Sequence, residues 1–420
     1  MLIPRISRLL LTKFPIRHVQ SFVNTTQTSL TLKSIDRTHL TVIIDNEEIR
    51  FDWIFLRDSC QCSTCIDPSS KQKFHHTADI PWNIVPRQQG IQILDNSILE
   101  ILWHQSLTNE QFHRSLYSST WLRTYSSLKR IAQSRFDDRP LIYWTRKDLV
   151  NVNLHLTCDE YLHTDQGLYT ALKHLNDYGL VFLDGVHGEF TVERLVERIG
   201  EIRHTFYGKS WNVKSVEQAT NVAYTSQALG LHMDLLYFEA PPGLQFLHSL
   251  KNNVRGGHSY YVDSFHAAES LRKEDPQAFE SLCSYPLTFH YRNANRHFHQ
   301  TRSTIVLDRF SDDARIDHVN YSPPFQASFQ SDTSQPEFRR FCRAFQRFRE
   351  VLEDDENRLE LILKENQCVI FHNRRILHAR RAFDPTSGQR WLKGSYTDLD
   401  NFKDRLRIFR EKFSSTSHSK

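Results

Sequence analysis

Hydrophobic and polar positions repeat along the chain with two periods. Thr41–Ile44, Ile91–Leu94 and Leu99–Trp103 are short β-branched and aliphatic runs that predict strands, in a small β-rich domain over residues 34–134. Residues 135–159 are charged and irregular and read as a linker. Tyr161–Tyr178 predicts a helix, and Gly179–Asp184 predicts the strand that opens a second domain over 160–413. Thr191–His204 places Leu195, Ile199 and Ile202 on one helical face. Leu244–Leu250 and Ser259–Asp263 predict strands joined across a Gly256–Gly257 turn, and Cys368–Phe371 and Arg390–Tyr396 predict two more. Ser334-Gln-Pro-Glu337 is a capping box with proline in the first turn. Phe338, Phe341, Phe345, Phe348 and Leu352 follow it at three- and four-residue spacing, so this helix buries a phenylalanine stripe and exposes its arginines.

Composition narrows the class. A chain of 420 residues suits two domains, and 28 Phe, 15 Tyr and 7 Trp suffice for their cores. The net charge of +4 comes from dispersed basic residues, so no nucleic-acid footprint is expected. No apolar run approaches the roughly eighteen residues of a membrane span, so no membrane partner is expected. Seven cysteines, three of them within six residues, point to a reducing compartment and a metal site rather than a disulfide framework. Residues 1–33 carry Arg5, Arg8, Lys13, Arg17 and Lys33 and no acidic residue, the composition of a mitochondrial transit segment. A mitochondrial location is slightly favoured on this ground, with the cytoplasm as the alternative.

Two clusters carry chemistry. His232 and Asp234 lie two residues apart, so on a strand they share a face. With His378, beyond the apolar run Cys368–Phe371, they would complete a 2-His-1-carboxylate triad, which holds Fe(II) and leaves positions open for substrate and oxygen. His163-Thr-Asp165 and His187-Gly-Glu189 repeat the pattern, but both sit beside turn signals at helix entrances, where an acid serves the helix end. Cys60, Cys62 and Cys65 can close on one soft ion, and thiolates without a redox role select zinc. The fourth ligand could be His75, His76, His104 or His113.

His232-x-Asp234, His378 and Arg390, with Asn221-Val-Ala-Tyr224-Thr before them, resemble the Fe(II)/2-oxoglutarate oxygenases that hydroxylate γ-butyrobetaine or trimethyllysine, the γ-butyrobetaine dioxygenases most of all. The likeness runs from about Leu40 to Phe413. It implies an α+β, mainly β chain: a double-stranded β-helix (jelly-roll) oxygenase domain preceded by a small zinc-binding domain. It makes His113, eight residues before Trp121-Leu122, the fourth zinc ligand. Arg390 would grip the distal carboxylate of 2-oxoglutarate bidentately, with Ser259 beside it. Tyr207, Trp211, Tyr224 and Tyr396 match the family's trimethylammonium cage, whose aromatic faces attract a cation that cannot donate hydrogen bonds.

The implied reaction consumes O2, releases succinate and CO2, and uses ascorbate as reductant. Asn221 stands where the trimethyllysine enzymes carry Asp, and a neutral residue suits the carboxylate end of γ-butyrobetaine. Asn320 is a further candidate for that carboxylate. His372 and Arg374 replace an Asp and a Trp of the family pattern. A small quaternary ammonium substrate and a homodimer follow from the resemblance. The alternatives are hydroxylation of trimethyllysine, or a non-catalytic cage that binds methylated lysine. The intact triad and Arg390 weigh against the latter.

Overall fold

The structure is a computed structural model that describes residues 29–104, 112–136, 141–214, 225–308, 314–330 and 335–416. The chain divides into two compact units, Met1–Asp138 and Arg139–Lys420. Among the described residues no helix is long and apolar enough to cross a membrane.

The first unit holds two three-stranded antiparallel sheets. One is Leu30–Ile35, His39–Ile44 and Glu47–Asp52, and the other is Pro86–Leu94, Ile98–Trp103 and His113–Ser118. Asp45-Asn46 and Asp95-Asn96 make the tight hairpin turns with positive φ at both residues, which Asp and Asn tolerate best after glycine. Alternation then decides what is buried. In His113–Ser118 every second residue points inward, so His113, Ser115 and Tyr117 are covered. Trp53 meets Trp103 edge-on in a core shared with Leu40, Val42, Leu99 and Ile101.

The second unit is a jelly roll. Its larger sheet runs in the order His155–Thr157, Leu180–Asp184, Gln367–His372, Leu244–Asn252, Arg390–Thr397, Ser210–Lys214. All pairings in it are antiparallel except that of the first two strands. The smaller sheet runs Leu229–His232, Ile376–Arg380, Ser259–Asp263, Leu359–Leu361, all antiparallel. Helices Asp165–Asp177, Thr191–Ile199 and Leu399–Thr416 cover the outer face of the larger sheet, burying Leu244, Phe246, Cys368 and Ile370. The inner face is left for a cleft: Gln245 and Leu247 face it from the larger sheet and Ser259 and Tyr261 from the smaller. The stripe of helix Gln335–Leu352 is buried at Phe341, Phe348 and Leu352 and half-buried at Phe338 and Phe345, while Ser334 lies outside the described residues.

Two local expectations change. The helix expected over Tyr161–Tyr178 is two, Cys158–His163 and Asp165–Asp177, because Thr164 is extended and caps the second through Gly167 N–H. Asp165 of the first decoy pair lies in that first turn and meets Arg198 and Lys412. The stretch read as a linker packs into the second unit. Trp144 is buried with its indole N–H donating to Tyr178 O at 2.7 Å, and His155–Thr157 joins the larger sheet.

Candidate active site

His232 and His378 are cross-strand partners in the smaller sheet, and their ring centroids lie 4.1 Å apart. His232 is the last residue of its strand, so the pleat does not carry Asp234 round to meet it. The chain turns instead, with Leu235 at φ 59°. Asn373 sets that turn. Its side-chain oxygen accepts from Asp234 N–H at 2.9 Å, and its amide N–H groups donate to Asp234 O at 3.0 Å and Pro242 O at 3.1 Å. Asp234 Oδ1 then sits 3.4 Å from His232 Nε2, close to the ~3 Å expected of neighbouring ligands about 2.1 Å from one ion.

The donor set fits a divalent ion. Donor atoms of His232, Asp234 and His378 all lie within 4.8 Å of one another. His232 Nδ1 lies 2.9 Å from Gly230 O, which can only accept, so that nitrogen carries the proton and Nε2 keeps its lone pair for the ion. Burial, then the neighbouring His232, pull the His378 imidazole down to about 3, so it is neutral and ready to ligate. Burial alone would raise Asp234. Its contacts with His232 and His378 and the hydrogen bond from Tyr396 outweigh it and hold this carboxyl well below its ordinary value.

The cleft beside this triad contains about 850 Å³ of empty space, part of it open to solvent. Tyr207, Trp211 and Tyr396 line one side. Trp211 stacks on Tyr396 with centroids 4.2 Å apart, and Tyr207 lies 5.9 Å from Trp211. Gly394 makes this possible, since a Cβ there would come 2.3 Å from the Trp211 ring. Asn221 and Tyr224 lie outside the described residues.

Arg390 and Ser259 line the same cleft. Arg390 is 9 % exposed, its Nε is buried without a hydrogen-bond partner, and among the described residues no carboxylate pairs with it. Burial, then the neighbouring Arg380, lower its pKa to about 9. A buried cation without an anion is the complement of a carboxylate ligand.

The taurine catabolism dioxygenase TauD, TfdA family model matches residues 139–396, more than half of the chain. The chain belongs to the TauD/TfdA dioxygenase family. A gamma-butyrobetaine hydroxylase-like N-terminal model matches residues 32–127. Relatives include dioxygenase str8 of Strobilurus tenacellus, 39% identical over 386 residues that cover 88% of this chain and 87% of that protein. The gamma-butyrobetaine dioxygenase of Pseudomonas sp. (strain AK-1) is 34% identical, covering 85% and 90%. The mitochondrial trimethyllysine dioxygenase of Gallus gallus is 28% identical, covering 88% and 86%. The protein is thus an Fe(II)/2-oxoglutarate dioxygenase of the group that holds both activities.

Within this dioxygenase Asn320 is not brought to the cleft. It is fully buried, its amide donates to Ser303 O at 2.7 Å, and its oxygen accepts from Arg374 at 2.8 Å. Both polar ends are spent on structure, so the expected contact with substrate carboxylate is not supplied by this side chain. His372 also stays out of the triad. Its Nδ1 accepts from Arg374 N–H at 3.2 Å. Tyr237, Phe325 and Arg380 line the cleft and were not singled out from sequence. Arg380 donates to Thr225 O at 2.7 Å and Gln227 O at 2.5 Å, and both Arg380 and Arg390 lie over the Phe383 ring. Only the His-x-Arg sequence at 378–380, which puts Arg380 on the same strand face as His378, offered a signal.

In the first unit, Cys60, Cys62, Cys65 and His113 converge. His113 Nε2 is 3.3, 3.8 and 3.5 Å from the sulfurs of Cys60, Cys62 and Cys65. A tetrahedral zinc with its usual bond lengths separates N and S by ~3.6 Å. The Cys60 thiol is pushed up to about 11 by its contact with Cys65 and by burial, while the same contact lowers Cys65 against its own burial. Arg57, 1 % exposed, points a guanidinium N–H at Cys65 Sγ from 3.3 Å. Three thiolates with one Zn2+ would leave a net charge of −1, which this buried cation would balance.

Proposed function

We propose that this dioxygenase hydroxylates γ-butyrobetaine to L-carnitine, with O2 and 2-oxoglutarate consumed and succinate and CO2 released. The observation that carries the reading is the make-up of the cleft. Aromatic faces line one side and Arg390, without a carboxylate partner among the described residues, another, and Asp234 is the only carboxylate among the described lining residues. Trimethyllysine brings an α-ammonium that calls for a carboxylate, whereas γ-butyrobetaine brings none. Asn221 in place of an acid supports the same choice.

Ferrous iron with bound 2-oxoglutarate supplies O2 activation. His232, Asp234 and His378 would hold the ion on one face and leave the cleft side open. Arg390, with Ser259, anchors the far carboxylate of the cosubstrate. Tyr207, Trp211 and Tyr396, with Tyr224, hold the trimethylammonium group, so that one C–H is presented to the reacting centre and effective concentration does the rest. Leu229, Leu235 and Leu392 close the walls with apolar surface and exclude water.

A structural zinc on Cys60, Cys62, Cys65 and His113, a homodimer and a mitochondrial location belong to the same proposal. The acid-free N-terminus and a mitochondrial relative support the last. The test is incubation with Fe(II), ascorbate, 2-oxoglutarate and either substrate. A mass gain of one oxygen on γ-butyrobetaine with matching succinate is expected. Preference for trimethyllysine would transfer the assignment, and binding without turnover of either would favour the methylated-lysine reader.

A further inference from the structure

Tyr396 touches two parts of the site at once. It lies six residues after Arg390 on the same strand and therefore faces the cleft with it. Its ring is stacked against Trp211, and its hydroxyl donates to Asp234 Oδ2 at 2.6 Å. The other carboxylate oxygen, Oδ1, is the one turned toward His232 Nε2. The two oxygens of Asp234 thus have separate duties, one toward the metal position and one toward a phenol.

We propose that Tyr396 is a positioning residue for the metal carboxylate: its hydroxyl holds Asp234 to one-oxygen ligation and keeps a coordination position open for the cosubstrate. This rests on the triad being the iron site. A carboxylate on a divalent ion can bind through one oxygen or two. The second mode would take a position that a 2-His-1-carboxylate site must leave to its substrates. A 2.6 Å hydrogen bond to Oδ2 opposes it, because that oxygen would have to leave a good donor in a buried setting. The Tyr396 ring packs on Trp211 and stands beside Gly394, so the phenol is held in place by the aromatic wall.

Two variants of the full chain separate the hydroxyl from the ring. Tyr396→Phe keeps the stacked face and removes the donor. Trp211→Leu removes the stack and keeps the donor. Each is loaded with Co(II), whose visible absorption reports the number of donors around it, and titrated with 2-oxoglutarate and then γ-butyrobetaine. Tyr396→Phe should change the Co(II) spectrum before any ligand is added and weaken 2-oxoglutarate binding about tenfold. Its γ-butyrobetaine affinity should fall less than that of Trp211→Leu, which loses a whole aromatic face. Trp211→Leu should lose γ-butyrobetaine affinity and change the Co(II) spectrum less than Tyr396→Phe does. A Tyr396→Phe protein with the parent spectrum and parent 2-oxoglutarate affinity overturns the proposal. If the parent protein binds no γ-butyrobetaine, the substrate assignment fails while the metal and cosubstrate readouts still decide the role of Tyr396.

Discussion

Replacing Arg390 with methionine should move binding and stability in opposite directions. The guanidinium is almost fully buried, without a carboxylate among the described residues, and its pKa falls from 12.5 to about 9. At about 1.4 kcal/mol per pKa unit, this drop corresponds to a penalty on the order of 5 kcal/mol against the charged form while no anion is bound. A carboxylate that accepts two charge-assisted hydrogen bonds, each about 1.5–3 kcal/mol, offsets most of it. Arg390→Met keeps the aliphatic packing, removes both bonds and removes the buried charge. The KM for 2-oxoglutarate should rise at least ~100-fold, from the loss of about 3 kcal/mol or more. The ligand-free Tm should rise, by roughly 2–4 °C for each kcal/mol of relieved burial. Initial rates of succinate formation and thermal unfolding without ligand give the two numbers. Unchanged 2-oxoglutarate dependence, or a Tm lowered by several degrees, would refute the reasoning, because either means Arg390 is satisfied by the protein itself.

Three further outcomes follow from other parts of the fold. Asp263 and Arg375 form a buried fork, with Nε and Nη2 at 3.1 and 2.8 Å from the carboxylate, and Arg375 also binds the carbonyls of Ile142, Asn176 and Asp177. Asp263→Asn strands that cation, so a loss of about 3–5 kcal/mol and a Tm drop on the order of 10 °C are expected in thermal unfolding. Cys62→Ser should lower zinc content, measured by elemental analysis, and destabilise the first unit while succinate formation by folded protein persists. A variant with full zinc would remove the metal from that unit. His372 has its pKa pulled from its ordinary 6.5 to about 3 by burial and then by Arg375. The unfolded chain therefore takes up this proton first as pH falls. Stability should be full above pH 6.5 and decline below it by up to about 1.4 kcal/mol per pH unit, and His372→Gln should flatten that slope in urea titrations.

The sequence made the triad legible because its two histidines sit on strongly patterned strands and because His-x-Asp needs no long-range information. It misplaced the reason for their convergence. Asp234 lies past the strand end, and the geometry is imposed by Asn373, 139 residues away, whose three hydrogen bonds leave no local trace. The Phe stripe of Gln335–Leu352 was readable because helical period selects the inward face, which Phe341, Phe348 and Leu352 fill. Asn320 was misleading for the opposite reason. An amide suits a ligand or a buried carbonyl equally well, and only the positions of Ser303 and Arg374 decide between them. Arg380 and Tyr237 are ordinary members of their strand and turn until the two sheets face one another. The linker reading failed because Trp144 is buried in a pocket built by distant segments, which local charge cannot reveal.

A substrate comparison by mass spectrometry remains the sharpest test. The full chain, supplied with Fe(II), 2-oxoglutarate and ascorbate under air, should add 16 Da (about one oxygen atom) to γ-butyrobetaine with roughly one succinate per product, and much less to trimethyllysine. No oxygen gain on γ-butyrobetaine in protein that turns over another quaternary ammonium compound would contradict the assignment.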